Sequence, residues 1–302
     1  MTALLLKLIG SGNRRGVTSM VMAMLFYTCH DVLMKLAGQH VNFAQAIFLR
    51  GVFTSLLAIA LVIGQGHVGQ IRLLLNRKVL ARSSTEIGAT ICFVLALLHM
   101  PLGNITAIMM ASPLMLTAAA ALLLRETVGW RRWASVCVGF IGVLLIVQPG
   151  AGGFSAWSVL ALFTMLCIVL RDLITRHIGM SLPGPIMVLA SCLCITCISG
   201  VMLLFMDWTA IPLESYLLLA GCAACVIIAY LFSIDFMRHG ELAVVSPFRY
   251  AGLLFALLLG YLLWNEIPNP LAAWGIVLVL ASGLYLLHRE RVNMRHAKAA
   301  AP

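Results

Sequence analysis

Ten apolar stretches, each about 20 residues long, are the feature that most limits how this chain can fold. An α-helix rises about 1.5 Å per residue, so a helix of that length crosses the roughly 30 Å hydrocarbon core of a bilayer. With 62% hydrophobic and only 10% charged residues among 302, the sequence predicts an all-α integral membrane protein with ten transmembrane helices. We place the ten spans at residues 17–38, 43–64, 83–100, 104–124, 131–148, 156–178, 183–206, 213–237, 243–263 and 270–288.

The basic residues lie on one side of this ten-helix arrangement. All Lys and Arg residues except Lys35, Arg50, Arg171 and Arg249 fall before span 1, in every second loop or at the span ends that border it, or after span 10. The alternate loops, such as "PLGN" and "QPGAGGFS", contain none. Because cytoplasmic loops of membrane proteins are rich in Lys and Arg, we expect both termini to be cytoplasmic. The predicted location is the cell inner (plasma) membrane, which the chain crosses several times.

The two halves of the chain resemble each other. The segment "DVLMKLAG" at 31–38 aligns without gaps on "DLITRHIG" at 172–179, and the same shift pairs Trp133 with Trp274. A shift one residue smaller pairs Glu126 with Glu266. Five spans per copy is an odd number, so the second copy enters the membrane from the opposite side, as in transporters that are built from inverted repeats. We therefore predict a first repeat at 17–148, a second at 156–288 and a cytoplasmic tail at 289–302.

The segments that begin "SPLMLTAAAALLLRE" at 112 and "SPFRYAGLLFALLLG" at 246 resemble the EamA repeat of the drug/metabolite transporter superfamily. The resemblance covers nearly all of residues 17–288. It implies a ten-helix bundle with a central cavity lined mainly by helices 1, 3, 4, 6, 8 and 9. It also implies secondary transport, and the superfamily includes exporters of amino acids and carriers of S-adenosylmethionine, riboflavin and metallophores.

Charged side chains inside the spans are candidates for function, because a charge at bilayer depth is costly unless it is paired. We expect Asp31 to pair with Arg50 towards the outer side, and Asp172 to pair with Arg249 towards the inner side. Lys35 follows Asp31 by one helical turn, and we interpret it as a partner of Asp31 that reaches the outer surface. A static structural role for these pairs is an open alternative.

Tyrosines near these charges complete the predicted site, since a buried hydroxyl needs a hydrogen-bond partner. The candidate substrate-binding residues are Tyr27, Asp31, Arg50, Arg171, Asp172, Tyr230, Arg249 and Tyr250. Simple packing is the alternative role for the tyrosines. Such a set suits a zwitterionic or anionic small molecule, amino-acid-like or otherwise.

Export of such a metabolite by alternating access is the predicted function. Uptake or exchange of S-adenosylmethionine, riboflavin or a metallophore is the alternative. The expected partners are the substrate, the lipid bilayer, and either protons or a counter-substrate, with His30 and His99 as candidate proton carriers. We expect no cofactor, no metal and no nucleic acid, and the prediction requires no oligomer.

Two other classes of function compete with transport. An intramembrane enzyme could use Asp31 and Asp172 as a catalytic pair, but the inverted repeat places these carboxylates at opposite depths. A scaffold or receptor would not need duplicated halves with deep charges. The chain contains no glycine-rich nucleotide-binding motif, so a gradient or an exchange must supply the energy for transport.

Overall fold

The computed structural model describes residues 11–123, 129–148, 155–178, 182–206, 208–239 and 245–299. Within these ranges ten helices are long and apolar enough to cross a membrane, and no strand occurs, which confirms the predicted fold class. Spans 1 to 5 are Ser11–Ala37, Phe43–Gly64, Arg77–His99, Leu102–Met110 with Ser112–Leu123, and Trp130–Val147. Spans 6 to 10 are Ala156–Ile178, Gly184–Leu203, Leu213–His239, the 3-10 turn Ser246–Tyr250 with Ala251–Trp264, and Pro270–Ala299.

Span 3 begins six residues earlier than the sequence predicts. The Asn76 side chain accepts a hydrogen bond from the Lys78 amide and so caps the helix at Arg77. Arg82, which the prediction assigns to a loop, therefore lies inside the membrane-spanning helix. The C-terminal segment also differs from the prediction. The helix of span 10 continues to Ala299, through most of the predicted cytoplasmic tail.

Spans 4 and 9 are both interrupted, but at different points. Span 4 breaks at Ala111, whose amide bonds to the Ile108 carbonyl, and restarts just before Pro113. Span 9 opens with a 3-10 turn that contains Pro247. A proline lacks the amide proton that an α-helix needs and clashes with the preceding turn, which accounts for both breaks. Glu126, which the sequence aligns with Glu266, lies outside the described residues.

Helix packing interleaves the two halves of the chain. Span 1 packs along span 8, and span 6 packs along span 3, so the first helix of each half contacts the third helix of the other. Span 2 packs on span 7, and span 5 on span 10. The last pair is close, because a Cβ built on Gly142 would lie 2.8 Å from the Gly275 carbonyl oxygen. Two glycines thus let these helix backbones touch.

The bundle has two distinct ends. We call the end where span 1 begins, and where Arg77 starts span 3, the basic side, and the other end the far side. Spans 1, 3, 5, 7 and 9 run from the basic side to the far side, and the other five run in the opposite direction.

Candidate functional site

A cavity of about 380 Å³ lies among spans 1, 2, 3, 6, 7 and 8. Its volume falls at the lower end of the range of small-molecule sites, about 300–1,000 Å³. Its polar lining residues are Tyr27, Arg50, Thr54, Arg82, Glu86, Thr90, Arg171, Asp172, Thr175, Ser191 and Tyr230. Spans 2 and 7 contribute to this lining, whereas the described parts of spans 4 and 9 do not, which corrects the lining that the family resemblance implies.

Four charged residues on spans 3 and 6 form what we call the basic-end cluster: Arg82, Glu86, Arg171 and Asp172. Arg171 donates from Nη1 to Glu86 Oε1 at 3.2 Å and from Nη2 to Asp172 Oδ1 at 2.8 Å. Arg82 Nη2 lies 3.6 Å from Glu86 Oε2. Two guanidinium groups and two carboxylates balance in charge, which lets all four sit within the bundle. Asp172 is the most exposed of the four, at 34% of its side chain.

Arg82 also joins three helices through neutral partners. Its Nε donates to Thr175 Oγ1 of span 6 at 3.1 Å, and its Nη1 donates to Ser191 Oγ of span 7 at 2.8 Å. A planar guanidinium can make these bonds together because its donors point in fixed directions. Arg82 therefore holds spans 3, 6 and 7 in register at this end of the cavity.

At the far end of the cavity, Asp31, His30 and Arg50 form a hydrogen-bonded chain. His30 Nδ1 lies 2.9 Å from Asp31 Oδ1, and His30 Nε2 lies 3.0 Å from Arg50 Nη1. Arginine has only donors, so Nε2 must accept and the neutral imidazole must carry its proton on Nδ1. The predicted pair of Asp31 and Arg50 is thus not direct, since His30 stands between the two charges.

Arg50 is incompletely satisfied by these contacts. Its Nε is buried and has no hydrogen-bond partner in the described part of the chain. A buried guanidinium donor without an acceptor costs free energy of about 1–3 kcal/mol or more. Because Arg50 lines the cavity, an acceptor group on a bound molecule can satisfy it.

Lys35 does not pair with Asp31, and it does not reach the surface. It is buried, at 6% exposure, and its Nζ forms an ion pair with Glu266, which follows span 9. The same Nζ donates to the Met100 carbonyl at 2.8 Å and lies 4.8 Å from the centre of the Trp264 ring. The prediction for Lys35 is wrong because it considered only neighbours on the same helix, and Glu266 reaches Lys35 from the other half of the chain.

Glu266 makes a second contact that fixes its position. Its Oε2 accepts from the Leu102 amide at 2.7 Å, at the start of span 4. Free amides at a helix start attract a carboxylate, which explains why Glu266 settles there. The ion pair of Lys35 and Glu266 therefore ties together spans 1, 4 and 9 at the far side of the cavity.

Five of the eight predicted substrate-binding residues line the cavity: Tyr27, Arg50, Arg171, Asp172 and Tyr230. Asp31 lies behind Arg50, on the other side of His30. Arg249 is exposed on the 3-10 turn of span 9 and pairs with no carboxylate among the described residues, while Asp172 pairs with Arg171 instead. Tyr250 is buried against Gly283 and lines no part of this cavity.

Sequence reasoning missed three charged residues of these networks: Arg82, Glu86 and Glu266. Arg82 and Glu86 are four residues apart, which is the spacing of an ion pair on one helix face. That spacing is visible in the sequence, but the predicted start of span 3 at residue 83 separated the two. His30 was considered only as a proton carrier, and the sequence does not show that it bridges Asp31 to Arg50.

The arrangement offers two chemically different ends to one molecule. Arg50 presents an unsatisfied cationic donor, and Asp172 presents an accessible carboxylate of which only Oδ1 accepts from Arg171. Tyr27 and Tyr230 line the walls between them. Such a cavity can hold an anionic group at one end and a cationic or hydrogen-bonding group at the other.

Comparison with known proteins gives relatives over most of the chain. This chain is 30% identical over 220 residues to a riboflavin transporter of Rhizobium johnstonii, and the match covers 72% of this chain and 70% of that protein. It is 23% identical to an S-adenosylmethionine uptake transporter of Rickettsia prowazekii, over 92% of this chain and 94% of that protein. It is also 25% identical to a pseudopaline exporter of Pseudomonas aeruginosa, over 92% and 98%.

One solved crystal structure has the same fold, with a TM-score of 0.63 over 92% of this chain and 97% of the other at 16% identity. The model of the EamA-like transporter family matches residues 14–148. All-helical architecture, ten spans and these relatives agree with one another. The chain belongs to the EamA-like transporter family, within the drug/metabolite transporter superfamily.

Proposed function

We propose that this protein is a secondary transporter of a small organic metabolite that carries an anionic group, and that the cavity beside Arg50 is its substrate site. The observation that supports this most is the buried Arg50 Nε, which has no hydrogen-bond partner among the described residues and belongs to a side chain that lines the cavity. A carboxylate or phosphate oxygen of the substrate would complete its hydrogen bonds. Arginine suits this role because its fork of donors matches the geometry of such groups.

Asp172 supports a second subsite at the other end of the cavity. Its Oδ2 accepts no hydrogen bond in the described structure, and its side chain is about one third exposed. A substrate ammonium, sulfonium or hydroxyl could lie against this oxygen. Amino-acid-like and other zwitterionic solutes therefore fit the site, and S-adenosylmethionine and riboflavin, for which two of the relatives are named, are further test compounds.

Unequal closure of the two sides supports alternating access. On the far side the buried pair of Lys35 and Glu266 joins three helices, and both side chains are less than one fifth exposed. Towards the basic side the cavity ends in the basic-end cluster, where exposure rises to 34% at Asp172. We infer a conformation closed on the far side and accessible from the basic side, which the positive-inside rule assigns to the cytoplasm. The interleaved contacts of spans 1, 3, 6 and 8 support two inverted repeats.

Flux into proteoliposomes tests the function. Purified protein is reconstituted, and uptake is measured for amino acids, S-adenosylmethionine, riboflavin and sugar phosphates, with and without a pH gradient. We expect saturable flux for at least one compound with an anionic group. No flux for any compound in protein that remains folded would refute the proposal for this solute class.

Matched variants then test the site. In Arg50→Gln we expect flux of the best compound to fall by roughly tenfold or more, because a hydrogen bond to a charged group is worth about 1.5–3 kcal/mol. Asp172→Asn should reduce the flux of compounds that carry a cationic group more than the flux of compounds that carry none. Arg77→Gln is the control, since Arg77 is exposed at the start of span 3. Equal losses in Arg50→Gln and the control would remove Arg50 from the site.

Export remains the direction predicted from the family resemblance, and the relatives above include both uptake and export proteins. Loading the compound inside or outside the vesicles measures both directions in one preparation. The enzyme alternative finds no support in the geometry. Asp31 lies beyond His30 at the far end of the cavity, whereas Asp172 is in the basic-end cluster, so the two carboxylates do not form a pair.

A further inference from the structure

The chain of Asp31, His30 and Arg50 has a property that a simple ion pair lacks. In the structure Arg50 donates to His30 Nε2, which is possible only while that nitrogen carries no proton. A second proton on His30 would place an N–H against the N–H of Arg50 and add repulsion between two positive groups. Docking of Arg50 on His30 and protonation of His30 Nε2 therefore exclude each other.

We propose that His30 is the binding site for a proton that is transported together with the anionic group of the substrate. This inference rests on the proposed function, because it assigns the coupling ion of the same site. When a substrate anion binds Arg50, the guanidinium turns from His30 towards the cavity. Nε2 then becomes free to take a proton from cavity water, while Nδ1 keeps its bond to Asp31.

Charge balance at this end of the cavity supports cotransport over exchange. With Arg50 docked, Asp31 and Arg50 cancel across a neutral imidazole. Adding a monoanion alone would leave one net negative charge in a site where His30 is only 7% exposed. Burying an unbalanced charge is strongly unfavourable, and one proton on His30 restores neutrality. Substrate anion and proton thus favour each other's binding, at one proton per anionic charge.

The groups around His30 are consistent with this role. Asp31 on span 1 stabilises the imidazolium, and Arg50 on span 2 is the group that proton binding displaces. From span 8, the buried Cys222 thiol also faces His30, and it donates to the His30 backbone carbonyl at 3.5 Å. Cotransport has a consequence for direction, since an inwardly directed proton gradient would drive uptake and oppose export.

The spectroscopic test needs no substrate. In protein labelled with ¹⁵N-histidine and followed over a pH titration, we expect the neutral His30 ring of the wild type to carry its proton on Nδ1. In Arg50→Gln the same ring should become an imidazolium at a higher pH than in the wild type, because the competing guanidinium is gone. The same titration in both proteins, or a neutral wild-type ring with its proton on Nε2, would overturn the proposal.

The flux test uses the compound with the highest flux in the panel above and a pH-sensitive dye inside the vesicles. We expect uptake to acidify the lumen in the wild type. His30→Gln keeps a donor for Asp31 and an acceptor for Arg50 but has no site for an extra proton, so flux should fall, and the flux that remains down the compound's own gradient should not acidify the lumen. His99→Gln is the control, because His99 stacks on Trp157 with ring centres 3.7 Å apart, away from this chain of residues.

The outcomes separate the two proposals. Flux without proton movement in the wild type, alkalinisation of the lumen, or unchanged proton movement in His30→Gln would each refute proton cotransport and leave the transporter function intact. Absence of flux for every compound would refute the proposed function itself. Loss of acidification in His99→Gln as well as in His30→Gln would show that the effect is not specific to His30, and would also overturn the assignment.

Discussion

Lys35 of span 1 forms an ion pair with Glu266, which follows span 9, and the two side chains are only 8% and 18% exposed. Each has additional partners: the Met100 carbonyl for Lys35 and the Leu102 amide for Glu266. A buried pair of this kind is most costly when one member is removed, because the other is left as an uncompensated charge.

We therefore predict a strong asymmetry between single and double substitutions at this pair. Lys35→Met or Glu266→Gln alone should lower stability by about 3–5 kcal/mol, whereas the double variant should lose much less than the sum. Thermal unfolding of purified protein in detergent measures all four members of the cycle. Additive losses would show that the pair does not act as a unit.

Arg15 and Asp235 provide a contrasting ion pair at the basic side. Arg15 donates to Asp235 from two nitrogens, but its side chain is 60% exposed. Solvent and salt screen such a pair, so Arg15→Gln should leave the melting temperature nearly unchanged. A loss as large as that of Lys35→Met would contradict the difference in burial.

We expect that lysine cannot replace Arg82 without loss of flux. Lysine keeps the charge, but Arg82 reaches Thr175, Ser191 and Glu86 from three different nitrogens, and the single nitrogen of lysine cannot occupy these three positions at once. We predict that Arg82→Lys and Arg82→Gln both reduce flux by about tenfold or more, whereas Ser191→Ala, which removes one bond, has a smaller effect. Flux per reconstituted protein is the measurement, with Arg77→Gln as the exposed control. Full activity of Arg82→Lys would mean that charge alone suffices.

Spans 5 and 10 pack so closely at Gly142 that we expect even a methyl side chain there to destabilise the protein. A Cβ there would lie 2.8 Å from the Gly275 carbonyl oxygen, so Gly142→Ala should destabilise the protein by about 1–3 kcal/mol. The matched control is Gly64→Ala, at the end of span 2, where a Cβ would meet nothing within 4 Å. We expect that change to be neutral or slightly stabilising, as measured by thermal unfolding. Equal effects at the two sites would rule out close backbone contact at Gly142.

Orientation in the membrane can be tested by cysteine labelling. In a variant without the nine native cysteines, a single cysteine at Arg77 should react with an impermeant maleimide only after the cells are opened. A cysteine at Thr209, on the far side, should react in intact cells. The reverse pattern would place the basic side outside and would overturn the predicted topology.

The number and positions of the spans followed from the sequence because hydrophobic length is a local property. Span 2, for example, has the predicted bounds, Phe43–Gly64. The start of span 3 did not follow, since Asn76 capping extends a polar first turn that hydropathy alone assigns to a loop. Helix ends depend on individual caps, which a count of apolar residues does not include.

The residues that line the candidate cavity were predictable in part, and the pairing of their charges was not. Arg50 and Asp172 were identified because deep charges are rare, and both line the cavity. Their partners were assigned wrongly or incompletely: Arg171 pairs with Asp172, and His30 separates Arg50 from Asp31. Pairing depends on how helices rotate about their axes, which the sequence of one chain leaves open.

The partner of Lys35 also lies far along the chain, and this has a consequence for how the protein is made. Glu266 follows Lys35 by 231 residues. At about 5–20 residues per second, ribosomal synthesis delivers Glu266 roughly ten to fifty seconds after Lys35. During that interval the ammonium group of Lys35, two residues before the end of its helix, lacks the carboxylate that it binds in the folded protein and needs water or another polar group around it. The last quarter of the nascent chain therefore supplies the group that allows Lys35 to become buried.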